Sequence, residues 1–309
     1  MESEMRYDVI GDVHGEAGKL ERLLEAMDYR REGGTYRHAQ GRVAVFVGDL
    51  IDRGARQVEV LRIVRDMQAA GTAKVVMGNH ELNAIGYATE SNGGWLRRHS
   101  DKNAAQHRAF IEQVGWDSAL HRELLAWFRT LPVALDLGGI RICHAWWEET
   151  VIAEAAAASD ARGRLDEDFL RASFDPRERA FSVLEAITKG CEVALPDGAD
   201  FTDPGGHPRR EIRVRWWDAA PSTYRRSALV SQDESDRIPD LPLPVGIPPG
   251  NPSAVPVFVG HYWFTGTPQP QNRNTAVLDY SAAKGGPLVA YRWRGERELR
   301  DDGMVWSNA

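Results

Sequence analysis

Short apolar runs alternate with amphipathic segments over the first third of the chain. Residues 7–10, 43–47 and 74–77 are runs of apolar character, and a glycine follows each of them. The segments between them place apolar residues at i, i+3, i+4 and i+7, which is typical of a helix with one buried face. The first such stripe consists of Leu20, Leu23, Leu24 and Met27. This alternation predicts an α/β fold with parallel strands and right-handed crossovers.

The pattern changes in the second half of the chain. Residues 102–131 predict helix, and later apolar runs predict strands at 133–137, 140–143, 255–259, 276–280 and 288–293. We expect the first two of these strands to form a hairpin around Gly138 and the last two to pair antiparallel around Gly285. Eleven of the sixteen prolines lie between Pro196 and Pro256, a density that excludes long helices and central strands.

Composition and charge narrow the class of protein. The chain has 309 residues, of which 42% are hydrophobic and 27% charged, and this excludes a wholly disordered protein. A net charge of −7 argues against a broad nucleic-acid or membrane surface. The chain has no long apolar run and no signal-peptide pattern at its start, and its two cysteines cannot form a disulfide scaffold. We therefore expect a cytoplasmic enzyme.

Polar residues recur where the predicted strands end. The chain has Gly-Asp-Val-His-Gly at 11–15, Gly-Asp-Leu-Ile-Asp-Arg-Gly at 48–54 and Gly-Asn-His-Glu at 78–81, and single histidines follow two later strands. Ligands of open α/β sheets bind outside the carboxyl ends of the strands. These ends can therefore bring six side chains to one crevice: Asp12, His14, Asp49, Asn79, His144 and His261.

The types of these six residues favour metal binding. Aspartate and histidine are good ligands for first-row divalent ions, and an asparagine carbonyl adds a neutral oxygen. Six ligands exceed the need of one tetrahedral ion. A carboxylate shared between two ions, about 3.5–4 Å apart, would make a binuclear site of the kind found in hydrolases.

The three glycine-bounded motifs resemble the signature of the calcineurin-like metallophosphoesterase superfamily. The Gly-Asp-x-x-Asp-Arg-Gly form is similar to that of the phosphoprotein phosphatase branch, which includes Ser/Thr protein phosphatases and diadenosine tetraphosphatases. The resemblance implies a four-layer α/β/β/α sandwich, as one domain of residues 1–309. Residues 150–255 would be a helical and proline-rich insertion between His144 and His261. Two divalent ions are implied, with Mn²⁺ expected first and Fe, Zn or Ni as alternatives.

The resemblance also assigns the metal ligands. Asp12 and His14 would bind the first ion, and Asp49 would bridge both ions. The second ion would be bound by Asn79, His144 and His261. Asn79 would in addition contact the substrate.

Catalytic roles are implied for three neighbouring motif residues. Arg53 would hold the phosphoryl oxygens, since a guanidinium can bind phosphate through two hydrogen bonds. His80 would act as the general acid, because histidine titrates near neutral pH. Asp52 would orient His80 and favour its protonated form.

The second phosphate-binding arginine is left open by the sequence. Arg97 and Arg98 follow the Gly-Asn-His-Glu loop and are our candidates, and Arg215 is a third; solvated surface charges are the alternative for each. Five tryptophans can either line a substrate wall or pack in the core, namely Trp146, Trp147, Trp216, Trp217 and Trp263.

The predicted function is hydrolysis of phosphomonoesters, phosphoproteins included, by attack of a metal-bridging hydroxide. The alternatives are a dinucleoside polyphosphate hydrolase and an RNA-end phosphatase. The expected partner is thus a phosphorylated protein, nucleotide or small molecule. The complete ligand set argues against a non-enzymatic binding protein.

Overall fold

The computed structural model describes residues 6–202, 208–219, 223–244, 247 and 250–307. The strands are β1 (Tyr7–Ile10), β2 (Tyr29–Glu32), β3 (Thr35–His38), β4 (Val43–Phe46), β5 (Ala73–Val75), β6 (Glu90–Ser91), β7 (Gly94–Trp95), β8 (Ala134–Asp136), β9 (Arg141–Cys143), β10 (Glu192–Ala194), β11 (Phe201–Thr202), β12 (Pro208–Arg209), β13 (Glu211–Arg213), β14 (Val257–Val259), β15 (Thr275–Val277), β16 (Leu288–Trp293) and β17 (Met304–Ser307).

The helices lie between these strands. They are α1 (Ala17–Ala26), α2 (Gln57–Ala69), α3 (Asn79–Tyr87), α4 (Asp101–Val114), α5 (Ala119–Phe128), α6 (Glu149–Ala157), α7 (Glu167–Ala172), α8 (Arg179–Lys189), α9 (Tyr224–Ser227) and α10 (Gln232–Ser235), with 3₁₀ turns at Ala282–Lys284 and Asp301–Gly303. Within the described residues, none of the helices combines the length and the apolar character that crossing a bilayer needs.

Two mixed sheets form the centre of the molecule. The first has the strand order β17-β16-β1-β4-β5, in which β1, β4 and β5 are parallel and β16 and β17 antiparallel to their neighbours. The second has the order β15-β14-β9-β8, in which β15, β14 and β9 are parallel. Each sheet therefore has a core of parallel strands, as the alternating pattern predicts.

Alternate side chains of the strands enter two different parts of the core. Val9 and Val45 of the first sheet belong to the same buried cluster as Ile142 and Phe258 of the second. The next residue of each strand points the other way and packs with the helices. The two sheets thus face each other with helices outside them, which confirms the predicted α/β/β/α sandwich.

The helical region after α3 is divided, contrary to the single predicted segment. Gly115 ends α4 with a φ of 78°, and the Ser118 side chain caps α5 by accepting from the backbone N–H of His121 at 3.0 Å. A serine at this position satisfies a helix N–H that has no partner inside the helix.

The prediction of an antiparallel pair around Gly285 is wrong. β15 pairs in parallel with β14 in the second sheet, whereas β16 pairs antiparallel with β1 in the first. The connection between them therefore crosses from one sheet to the other. It starts at the carboxyl edge of the second sheet, where the candidate site lies.

The proline-rich region holds only short elements in its described part. β11, β12, β13, α9 and α10 have four residues or fewer. Residues 203–207, 220–222, 245–246 and 248–249 of this region lie outside the described residues. That residues 150–255 form an insertion within one domain stays a prediction.

Candidate active site

The ends of five strands carry the predicted metal ligands to one edge shared by both sheets. Asp12 follows β1, Asp49 follows β4, and Asn79 begins α3 after β5. His144 follows β9 and His261 follows β14, both in the second sheet. All five side chains are buried.

Asp49 lies at the centre of this cluster. Its Oδ2 is 3.3 Å from Nε2 of His144 and 3.7 Å from Nε2 of both His14 and His80. Its Oδ1 accepts from the backbone N–H of His80 at 2.9 Å. One carboxylate therefore faces three imidazoles that come from three different strand ends.

Two groups of side chains that can hold a metal ion share Asp49. One consists of His14, Asp49 and His80, and the other of Asp49, His144 and His261; within each group the ligand atoms lie within 4.8 Å of one another. Asn79 adjoins the second group, since its Oδ1 is 2.8 Å from His261 Nδ1 and 3.2 Å from His144 Nε2. The sharing of one carboxylate is the arrangement that a binuclear site needs.

Three buried polar atoms in this cluster have no hydrogen-bond partner among the residues that the structure describes: Asp12 Oδ1, His14 Nε2 and His261 Nε2. Buried polar atoms are rarely left without a partner in proteins. Nδ1 of His14 contacts the carbonyl of Ile51 at 2.7 Å, which assigns the ring proton to Nδ1 and leaves a lone pair on Nε2. Unpartnered carboxylate and imidazole atoms fit divalent cations.

Asp12 is outside both three-residue groups but adjoins them. Its Oδ2 accepts from the backbone N–H of His261 at 3.0 Å. Gly260 allows this approach, because a Cβ at that position would lie 1.8 Å from Asp12 Oδ1. A Cβ on Gly78 would likewise lie 2.2 Å from Asp49 Oδ1, so these motif glycines leave room for the carboxylates.

The electrostatics of the cluster reflect its buried carboxylates. Burial raises the pKa of Asp12 well above its usual range, and the neighbouring Asp279 acts in the same direction. Burial would also raise the pKa of Asp49, but His144 and His80 outweigh it and hold that pKa well below its usual range. Although burial opposes it, Asp49 raises the pKa of His144 to about 10. The buried carboxylates thus need nearby positive charge, which cations would supply.

Asp52 connects two histidines. Its Oδ2 is 2.5 Å from Nδ1 of His80, and its Oδ1 is 2.9 Å from Nδ1 of His107 on α4. All three side chains are buried. Burial acts to lower the pKa of His80, but Asp49 and Asp52 raise it above its usual value. The arrangement leaves Nε2 of His80 facing the metal-ligand cluster.

Glu81 fastens two motif loops to each other. Its carboxylate accepts from the backbone N–H groups of Gly78 and Asp49 at 2.9 Å and of Leu50 at 2.8 Å. Burial, followed by the charge of Asp49, raises the pKa of Glu81 to about 6. These bonds fix the relative position of the loops after β4 and β5.

Several candidate site residues have left-handed backbone conformations. The φ angles are 45° at His14, 50° at Asp49, 67° at Asp52, 74° at Arg53 and 70° at His261. Such conformations cost about 1–3 kcal/mol at non-glycine residues and are concentrated at functional sites. The strain supports a functional reason for the placement of these side chains.

The comparisons with known proteins agree with this geometry. The calcineurin-like phosphoesterase family matches residues 5–175, which is more than half of the chain. The chain belongs to the calcineurin-like phosphoesterases. The family implies divalent metal ions, for which the two groups around Asp49 are candidate ligands. The predicted resemblance is confirmed.

Several relatives of this calcineurin-like phosphoesterase are named bis(5'-nucleosyl)-tetraphosphatases. The asymmetrical bis(5'-nucleosyl)-tetraphosphatase of Bacillus subtilis is 41% identical over 145 residues, which are 46% of this chain and 57% of that protein. The symmetrical bis(5'-nucleosyl)-tetraphosphatase of Methylococcus capsulatus is 27% identical over 95% of this chain and 94% of its own. The chain spans between 31% and 59% of the length of three asymmetrical relatives.

A solved structure of similar fold is a protein serine/threonine phosphatase from Saccharomyces cerevisiae. It is 15% identical, the match covers 99% of this chain and 80% of the yeast chain, and the TM-score is 0.49.

The candidate phosphate-binding arginines of this phosphoesterase differ from one another in their position relative to the metal-ligand cluster. Arg53 is exposed beside the cluster, and its Cζ lies 4.0 Å from the ring centroid of Trp263. Arg97 donates to Gln106 Oε1 at 3.0 Å, and Gln106 Nε2 lies 3.4 Å from His80 Nε2, so Arg97 approaches the site through Gln106. Among the contacts of the described residues, none joins the guanidinium of Arg98 to the cluster.

The tryptophans separate into core and site residues. Trp147, Trp216 and Trp217 are buried in the main hydrophobic cluster, as core packing predicts, and Trp146 packs against it. Trp263 instead lies at the site, where its ring centroid is 6.4 Å from that of His14.

Sequence reasoning missed three side chains of the site. His107 lies within a predicted helix and outside every motif, and Asp279 lies within a predicted strand. Glu81 is part of the Gly-Asn-His-Glu motif, so the sequence indicates that it lies near the site but does not indicate what it does there. Asp279 is buried beside the cluster, and its oxygens accept from the backbone N–H groups of Trp263 at 2.8 Å and Ser281 at 2.9 Å.

Proposed function

We propose that this phosphoesterase hydrolyses a phosphoanhydride bond of dinucleoside polyphosphates at a centre of two divalent metal ions. The observation that carries the metal centre is the position of Asp49 in both ligand groups. The substrate class is supported by the relatives named bis(5'-nucleosyl)-tetraphosphatases, one of which matches 95% of the chain. They favour the dinucleoside polyphosphate alternative over the phosphomonoester hypothesis of the sequence analysis.

The ligands in this proposal are those that the sequence predicts. Asp49 would be shared by the two ions, and the remaining ligands would be Asp12, His14, Asn79, His144 and His261. Two ions bound there would supply an ionised water near neutral pH and offset the charge of the phosphoryl group. Mn²⁺ is our first expectation, with Fe, Zn and Ni as alternatives.

The side chains around the centre have separate tasks. Arg53, exposed at its border, binds two phosphoryl oxygens and orients the group for in-line attack. As the new bond from phosphorus to the water oxygen forms, the phosphoanhydride P–O bond to the departing oxygen breaks. His80 gives the proton on Nε2 to the departing oxygen, and Asp52 holds His80 in position through Nδ1.

The test is a substrate panel with the purified full chain and added Mn²⁺. We expect kcat/KM to be higher for diadenosine tetraphosphate than for p-nitrophenyl phosphate or a phosphopeptide. Faster turnover of the phosphopeptide would overturn the proposed substrate class. If none of the three substrates is turned over with any of Mn²⁺, Ni²⁺, Zn²⁺ or Mg²⁺, the metal-dependent chemistry itself would be overturned.

A further inference from the structure

Two cationic side chains lie against one tryptophan at the border of the candidate metal centre. Arg53 Cζ is 4.0 Å and Lys284 Nζ 3.6 Å from the ring centroid of Trp263. The same ring lies 6.4 Å from the ring of His14. Lys284 belongs to the connection between the two sheets and lies outside every motif of the sequence.

Neither cation has an anionic partner among the described residues. No carboxylate in the described part of the chain lies within ion-pair distance of Arg53 or Lys284, and both side chains are exposed. Partial burial, and then the charge of Arg53, lower the pKa of Lys284, while the charge of Asp279 opposes them. Two like charges held near each other repel, and an anion bound between them removes this cost.

The backbone around Lys284 is held in place by hydrogen bonds from Lys19. The buried ammonium of Lys19 donates to the carbonyls of Ala282 at 2.7 Å and Gly286 at 2.8 Å, on either side of Lys284. These bonds hold the 3₁₀ turn Ala282–Lys284 against α1. A lysine on such a turn starts from a defined position, unlike a lysine on a mobile surface loop.

Asp279 joins this turn to Trp263. One of its oxygens accepts from the backbone N–H of Trp263 and the other from that of Ser281, which precedes the turn. Trp263 and Ser281 both have left-handed φ angles, 56° and 59°. The tryptophan and the lysine are therefore held together by a buried carboxylate, in conformations that cost free energy.

We propose that Lys284, placed against Trp263, binds the phosphoryl group adjacent to the one that is hydrolysed. The proposal rests on the proposed function, because a phosphomonoester has no adjacent phosphoryl group. Arg53 and the metal centre accommodate the reacting group, and its neighbour in a polyphosphate chain carries further negative charge. An ammonium beside Arg53 provides the complementary charge for that neighbour.

The test measures binding of two non-hydrolysed probes to the Mn²⁺-loaded full chain by calorimetry, with Mn²⁺ in excess. Methylenebisphosphonate has two adjacent phosphoryl groups and orthophosphate has one. We expect Lys284→Met to weaken methylenebisphosphonate binding about tenfold or more, as for loss of a charge-assisted hydrogen bond, and to leave orthophosphate binding unchanged. Lys284→Arg should restore most of the affinity. Lys74→Met, on β5 and outside the site, makes the same change of net charge and should affect neither probe.

The possible results test the Lys284 subsite independently of the proposed substrate. Unchanged methylenebisphosphonate binding in Lys284→Met, or equal weakening of both probes, would overturn the subsite. A selective loss would support it even if the unaltered protein fails to cleave diadenosine tetraphosphate. In that case the proposed substrate would be rejected and the subsite would be assigned to another phosphoanhydride.

Discussion

Oδ2 of Asp52 lies 2.5 Å from Nδ1 of His80. Because this contact engages one ring nitrogen, Nε2 is the atom of His80 that faces the cluster, 3.7 Å from Asp49. A general acid needs such an orientation, with one nitrogen fixed and the other directed at the departing oxygen. The same Nε2 also belongs to a group that can hold a metal ion, so the two roles need to be separated.

Replacement of His80 separates these roles. We expect His80→Ala to lower kcat by about 10²–10⁴, the range for loss of general acid catalysis, while both metal ions are retained. Metal content by elemental analysis and turnover of diadenosine tetraphosphate are the two measurements. Loss of one ion from the variant would show that His80 is a ligand and would contradict its role as the acid.

His107 holds the other oxygen of Asp52, at 2.9 Å, and we expect it to position Asp52. His107→Phe should lower kcat about tenfold, and the decrease should be larger for phenyl phosphate than for p-nitrophenyl phosphate, since the poorer leaving group depends more on protonation. The buried His121, which has no contact with Asp52, provides the control variant His121→Gln. A loss of equal size for both substrates would indicate a purely structural role.

Asp49 is expected to be indispensable for metal binding, because it is shared by both ligand groups. Asp49→Asn should lose metal, as measured by elemental analysis after dialysis against buffer containing Mn²⁺. Asp28 has a similarly left-handed backbone, with φ 67°, but is exposed, so Asp28→Asn is the matched control. Unchanged metal stoichiometry in Asp49→Asn would refute the bridging role.

Glu81 is expected to matter for stability. In Glu81→Gln an amide N–H₂ replaces one acceptor oxygen and faces a backbone N–H, so at least one buried donor loses its partner. We expect the free energy of unfolding to fall by about 1–3 kcal/mol, measured by urea denaturation. Glu25→Gln on the exposed side of α1 should change it little. A Glu81→Gln variant as stable as the unaltered protein would contradict this account of the carboxylate.

The motif residues were predictable because each motif follows its own strand. A glycine, a short apolar run and a polar ligand lie within a few residues of one another, so local pattern and chemistry agree at Asp12, Asp49 and Asn79. Parallel pairing then brings the ends together, as general rules for α/β sheets require. The same reasoning reached His144 and His261 through single residues after later strands.

The outer part of the site was not predictable by such means. His107 contacts Asp52 across 55 positions of sequence, and nothing in an amphipathic helix distinguishes it from a core histidine. The sequence predicts a hairpin around Gly285, beside Lys284, because two apolar runs on either side of glycines resemble a hairpin locally. Only the pairing of β15 and β16 with different sheets shows that this segment crosses the edge beside Trp263.

The placement of the candidate ligands on two sheets has a mechanical consequence. Asp12, Asp49 and Asn79 come from the first sheet, whereas His144 and His261 come from the second. Cations coordinated by both sets of residues would link the two sheets, which also contact each other through apolar side chains. Since any ion that binds only the native state stabilises it, ions bound at the candidate centre would also keep the two sheets aligned with each other.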